Sequence, residues 1–126
     1  MEDRERFILL NLIPDIGTIR VKRLLEAFGT LQGLFNASEK QLQQVEGIGP
    51  VLAGRLVSYG RKPELVDEEL RLARQAGCTV VTQEDAGFPA PLKQIPDPPL
   101  ALYLKGEWMD VDVTSVAAVG ARRASL

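Results

Sequence analysis

Residues 45–50 read VEGIGP, and this short stretch decides the fold. Two glycines on either side of one isoleucine, followed by a helical pattern over residues 50–59, are typical of a helix, a tight turn and a second helix. Ile48 is expected to fill the gap between the two helices. Gly49 is expected to allow a backbone geometry that a Cβ would obstruct.

The same pattern occurs 32 residues earlier, where residues 13–18 read IPDIGT. Ile16 and Gly17 take the positions of Ile48 and Gly49, and Asp15 takes the position of Gly47. Two such units in tandem predict a helix-hairpin-helix pair. A turn of this kind directs free backbone N–H groups at the start of a helix outward, where a phosphate can accept them.

The pair of hairpins indicates DNA binding, but the charges leave a second interpretation open. The candidate hairpin residues are Gly17, Arg20, Lys22, Arg23, Gly47 and Gly49. Phosphate binding depends mainly on cations, yet residues 1–60 contain seven Lys or Arg against seven Asp or Glu, and Asp15 places a carboxylate at one turn. The alternative is a helical module that docks another protein and has no DNA binding of its own.

Composition excludes several classes of protein. The 126 residues carry a net charge of −2, one Cys and no His, so no internal disulfide and no metal site are expected. The charged start of the chain and the lack of a long apolar run predict neither a signal peptide nor a membrane span, and hence a cytoplasmic protein. With no GxGxxG fingerprint and no catalytic grouping, we expect neither a cofactor nor an enzyme.

Periodicity and caps divide the chain into two regions. Helices are predicted over residues 4–12, 18–28, 31–35, 39–45, 50–59 and 64–76, and one helical turn over 91–95. Strands are predicted over residues 78–82, 101–104 and 116–119. The predicted helical core contains Phe7, Leu12, Ile16, Leu24, Phe28, Phe35, Leu42, Val45, Ile48, Leu52 and Leu56. The fold class is therefore mainly α, with a helical domain over residues 1–76 and the truncated opening of an α/β domain over residues 77–126.

Two later segments carry a resemblance to a known family. Residues 88–106 read FPAPLKQIPDPPLALYLKG, and residues 116–125 read VAAVGARRAS. In this order after the hairpins, they resemble the start of the DprA/Smf family of DNA-processing proteins of bacterial natural transformation. The resemblance spans almost the whole chain. It implies a SAM-like helical domain, residues 77–126 as a linker and the first strands of a Rossmann-like domain, and a chain that is the N-terminal piece of a longer protein.

The resemblance also implies a function. Family members bind single-stranded DNA, protect it and load the recombinase RecA onto it, and the full-length protein is expected to be a homodimer. RecA contact and dimerisation lie mainly in the later Rossmann-like portion. The family's phosphate-binding loop maps here onto Gly120, Arg122, Arg123 and Ser125. Ala121 departs from the serine usual in the family, which removes one hydroxyl donor.

Overall fold

The computed structural model describes residues 1–107 of the chain. This part is mainly helical, as the sequence predicts. The helices α1 to α7 span Asp3–Leu12, Thr18–Phe28, Leu31–Asn36, Glu39–Leu42, Pro50–Gly60, Glu64–Gln75 and Ala90–Lys93. The strands β1 and β2 span Thr79–Thr82 and Ala101–Leu104.

Helices α1 to α5 enclose the first hydrophobic core. Its buried side chains are Phe7, Leu10, Ile13, Ile16, Val21, Leu24, Leu31, Leu34, Leu42, Ile48, Ala53, Leu56 and Leu100. Phe28, Phe35, Val45 and Leu52 pack against it while half-buried. The predicted core is thus confirmed except for Leu12, which is half-buried and belongs to neither hydrophobic cluster.

Helix α1 is shared between two cores. Four consecutive residues, 7–10, are buried. Phe7 and Leu10 belong to the first core, whereas Ile8 and Leu9 belong to a second. Their buried partners in the second core are Val66, Ala73 and Val80. A helix that is apolar on two opposite sides lies between two layers, so α6 and β1 cover the side of α1 that the hairpins leave free.

The two strands form a small antiparallel sheet. Thr79 pairs with Leu104 and Thr82 with Ala101. The hydroxyl of Tyr103 on β2 donates to Glu69 Oε1 on α6 at 2.6 Å. Burial, and then this hydrogen bond, raise the pKa of Tyr103 to about 12. Within residues 1–107 the sheet has only these two strands. The strand predicted over residues 116–119 lies outside the described residues.

An ion pair ties the start of the chain to the loop after β1. Arg4 Nε donates to Asp85 Oδ1 at 2.9 Å and to Oδ2 at 3.1 Å, while Arg4 Nη2 donates to the carbonyl oxygen of Val80 at 2.9 Å. Asp85 Oδ2 also accepts the Thr82 N–H at 2.7 Å. This loop is therefore attached directly to the first helix.

Most predicted elements lie within two residues of their observed bounds, but α4 does not. The helix predicted over residues 39–45 ends at Leu42. The N–H groups of Gln44 and Val45 bond to carbonyls three residues earlier, at 3.2 and 3.1 Å. This tighter winding leads the chain directly into the second turn.

Candidate nucleic-acid interface

The two hairpin turns share one backbone conformation. Asp15 has φ +65° and its counterpart Gly47 has φ +88°. One residue later, Ile16 and Ile48 are buried in the first core at 5% and 3% exposure, as predicted. In each turn the isoleucine N–H donates to the carbonyl three residues earlier, at 3.4 and 3.0 Å. The positive φ at Asp15 is uncommon for a residue with a side chain, and Asp is one of the few that tolerate it.

Gly17 and Gly49 occupy the residue before each second helix, and the prediction that their backbone geometry excludes a Cβ is wrong. Their φ values are −101° and −88°, which any residue can adopt. Within the described part of the chain, no atom comes within 4 Å of a Cβ built on either one. The left-handed conformation falls instead on Asp15 and Gly47, two residues earlier. The space over Gly17 and Gly49 is open to solvent.

Backbone donors face this open space. Among residues 1–107, no acceptor forms a hydrogen bond with the N–H groups of residues 18–20 at the start of α2, nor with those of residues 51 and 52 in α5. Neither Gly17 nor Gly49 offers a capping side chain. The first N–H groups of a helix carry its positive end. In the described part of the chain, each turn therefore presents unpaired N–H groups beside a residue that has no side chain.

The second turn gathers two arginines from α2. Arg20 Nε donates to the Gly47 carbonyl at 3.1 Å, and Arg20 Nη1 donates to the Asp15 carbonyl at 3.1 Å. Arg20 therefore links the two turns. Arg23 Nη1 lies 3.0 Å from the point where a Cβ on Gly47 would stand. The Arg23 guanidinium makes no hydrogen bond or ion pair with any residue that the structure describes.

A shallow depression of about 330 Å³ lies at the start of α2. Its lining consists of Gly17, Thr18, Ile19, Arg20 and Arg23. The first residues of α2 thus share one surface with the two arginines that reach the second turn, and a guanidinium is a donor suited to a phosphate oxygen.

Lys22 lies apart from these arginines. It lines a different groove of about 340 Å³, beside Glu26 and the proline-rich segment with Pro96 and Asp97. Two carboxylates on the same groove offset its charge. Of the three cations that the sequence groups together, the structure brings Arg20 and Arg23 to the turns and places Lys22 elsewhere.

The first turn carries an ion pair that sequence reasoning missed. Arg55 Nη1 on α5 donates to Asp15 Oδ2 at 2.8 Å and to the Pro14 carbonyl at 3.0 Å. The sequence repeat gives one indication that Arg55 belongs to the site. Arg55 lies 32 residues after Arg23 and occupies the same position in its hairpin. The carboxylate predicted to oppose phosphate at this turn is therefore paired with a cation from the other hairpin.

Gly120, Arg122, Arg123 and Ser125, which form the candidate phosphate loop, lie outside the described residues. Within residues 1–107, no helix is long and apolar enough to cross a membrane. The same range holds no grouping of three or more His, Cys, Asp or Glu side chains suited to a metal ion.

Comparison with protein families gives two matches. Residues 7–61 match the SAM-like helix-hairpin-helix tandem, and residues 79–126 match the DNA recombination-mediator protein A family. The first match covers the two hairpins whose turns are described above. The second covers β1, β2 and the segment that contains the candidate phosphate loop.

Individual relatives match over a limited region. The chain is 35% identical over 71 residues to a DNA ligase of Chloroflexus aggregans, which is 55% of this chain and 10% of the ligase. It is 45% identical over 56 residues to the UvrABC system protein C of a Synechococcus species, which is 44% of this chain and 9% of that protein. The chain thus spans about a tenth of the length of these relatives. No solved structure matches the chain.

By fold and by the first match, residues 7–61 are similar to the SAM-like helix-hairpin-helix tandem. The second match follows it in the order that the sequence predicts. The chain is therefore similar to the N-terminal portion of the DprA/Smf family, the DNA recombination-mediator proteins, and the predicted resemblance is confirmed.

Proposed function

We propose that this chain is the N-terminal portion of a recombination mediator that binds single-stranded DNA and loads RecA onto it. The order of the two family matches supports this proposal. In the same proposal the protein has no catalytic role, works in the cytoplasm during natural transformation and recombination, and dimerises through the remainder of a Rossmann-like domain. Gly120, Arg122, Arg123 and Ser125 are its main phosphate contacts.

The hairpins serve as an auxiliary DNA contact in this proposal. The observation that carries it is the convergence of Arg20, Arg23 and unpaired backbone donors on the turns. Similarity to a DNA ligase and to a UvrABC system protein C adds support. The contact is auxiliary because cations supply most of the affinity for phosphate, and Arg23 is the one cation at the turns without a partner among residues 1–107.

A salt titration tests the hairpin contact. Binding of a labelled single-stranded oligonucleotide to the 126-residue chain is measured by fluorescence anisotropy at several salt concentrations. Arg23→Ala should weaken binding and flatten the slope of log affinity against log salt by about 0.7 units, the value for one phosphate contact to a single strand. Arg74→Ala is the matched control, because Arg74 is an exposed arginine in the last turn of α6.

Two results would contradict this assignment. If Arg23→Ala and Arg74→Ala titrate alike, the second turn does not contact phosphate. If Arg122→Ala together with Arg123→Ala leaves the salt slope of DNA binding the same as in the parent chain, the hairpins are the primary site rather than an auxiliary one.

A protein-docking module is the second candidate, and one observation favours it. Ile19 and Val51 occupy the same position in the two hairpins, and their side chains are 59% and 66% exposed. Exposed apolar side chains on a rigid surface are common in protein interfaces. Ile19→Ser together with Val51→Ser should leave the affinity for the oligonucleotide unchanged if the pair serves only protein docking.

A further inference from the structure

Each hairpin places one arginine at the turn of the other hairpin. Arg23 of the first hairpin lies beside the turn of the second, with its Nη1 3.0 Å from the Cβ position on Gly47. Arg55 of the second hairpin lies at the turn of the first, with its Nη1 2.8 Å from Asp15 Oδ2. Since Arg23 and Arg55 are equivalent in the repeat, each turn has one guanidinium supplied by its partner hairpin.

Within residues 1–107, only one of these two guanidinium groups has a hydrogen-bond partner. Asp15 and Gly47 have the same left-handed backbone, but Asp15 carries a carboxylate and Gly47 carries no side chain. The carboxylates of Glu26 and Glu46 line a groove with Arg23, but neither forms an ion pair with it among residues 1–107. The Asp15 carboxylate holds Arg55, whereas Gly47 has no side chain to hold Arg23. The Asp15 side chain is 75% exposed, so its charge also faces whatever approaches the first turn.

We propose that Asp15 closes the first turn to phosphate by acting as an internal anion, and so makes the second turn the one that contacts DNA. A carboxylate and a phosphate oxygen compete for the same guanidinium donors. Asp15 occupies Arg55 and repels a phosphate by like charge. The proposal rests on the proposed DNA contact of the hairpins, and it assigns that contact to one of two similar turns.

The test removes the internal anion. Asp15→Gly restores the residue that the second turn has at this left-handed position, so the backbone needs no change. It should raise affinity for a single-stranded oligonucleotide about three- to tenfold and steepen the salt slope by about 0.7 units, the value for one added phosphate contact. Asp15→Asn, which also tolerates this backbone, should give a smaller gain in the same direction.

The control separates this effect from a general change of charge. Asp67→Asn removes one exposed carboxylate from α6, away from the turns, and should alter affinity less than twofold. In a double-mutant cycle, Asp15→Gly should gain much less affinity in the Arg55→Ala background than in the parent chain. A nonspecific loss of negative charge would raise affinity equally with and without Arg55.

The converse substitution should close the second turn. In Gly47→Asp a carboxylate would stand beside Arg23, as Asp15 stands beside Arg55, and oligonucleotide binding should fall toward that of Arg23→Ala. Gly47→Asn, which has a side chain of similar size without charge, should lose less. Thermal melting of both variants shows whether the turn still folds.

The outcomes distinguish the two proposals. If the parent chain shows the Arg23-dependent salt slope but Asp15→Gly binds no better than Asp67→Asn, the closed-turn proposal is wrong and the DNA contact stands. If Asp15→Gly gains the same affinity with and without Arg55, Asp15 does not act through Arg55 and the closed-turn proposal is wrong in that respect. If neither Arg23→Ala nor Asp15→Gly alters binding, the hairpins have no DNA contact and both proposals fail.

Discussion

Alanine substitutions at Gly17 and Gly49 should test DNA binding without preventing folding. Gly17 and Gly49 have ordinary φ values, and a Cβ on either contacts nothing within 4 Å in the described part of the chain. Gly17→Ala and Gly49→Ala should therefore fold normally. A ligand that approaches the unpaired N–H groups beside them would meet the added methyl group.

The expected magnitudes follow from this geometry. Alanine is a poorer N-cap than glycine, so each substitution should lower the free energy of unfolding by about 0.5–1 kcal/mol. Loss of one hydrogen bond from a backbone N–H to a charged phosphate oxygen costs about 1.5 kcal/mol or more, which is roughly a tenfold loss of affinity. The effect of Gly49→Ala on binding should thus exceed its effect on stability, whereas Gly17→Ala, at the turn that Asp15 closes, should change binding little.

Gly54→Ala provides the control within the same helix. Gly54 lies inside α5, and a Cβ there also meets nothing within 4 Å. Because glycine in a helix interior costs about 0.5–1 kcal/mol relative to alanine, this variant should be more stable than the parent and bind DNA equally well. Urea denaturation and anisotropy titrations measure the two quantities on the same samples. Gly49→Ala binding as tightly as Gly54→Ala would refute the role assigned to the open N–H groups.

Three further predictions concern stability. Ile48→Asp should abolish cooperative melting, because it places a charge in a core where one apolar side chain contributes about 1.5–3 kcal/mol; a parent-like melting curve would contradict the described core. Asp85→Asn should lower the free energy of unfolding by about 1–2 kcal/mol, since the hydrogen bonds of the Arg4 guanidinium lose their charged acceptor; an unchanged urea midpoint would show that the ion pair is not stabilising. The folded pKa of Tyr103, about 12, lies above its ordinary value of 10.0, so the folded state retains the proton longer and the parent should lose stability between pH 10 and 12. Tyr103→Phe should flatten this pH dependence, measured as urea midpoints across that range, by under about 1 kcal/mol because the side chain is partly exposed; identical slopes for parent and variant would show that Tyr103 is not its cause.

Local signals were sufficient to predict the hairpins. α2 begins and ends where the sequence predicts, and Gly29 ends it with φ +79°. Ser38 forms the predicted capping box, accepting the Gln41 N–H at 3.2 Å while the Gln41 side chain accepts the Ser38 N–H at 2.9 Å. These features depend on contacts within four residues, so a single sequence contains all the information they need.

The pairing of distant segments could not be predicted in the same way. No local pattern indicates that β1 and β2 pair antiparallel, or that α1 contributes to two cores, because both depend on how whole helices pack. The repeat placed Arg23 and Arg55 at equivalent positions, but it could not show that each lies at the turn of the other hairpin. The placement of each arginine depends on how the two hairpins pack against each other. This packing brings together residues that are far apart in the sequence, so no local pattern predicts it.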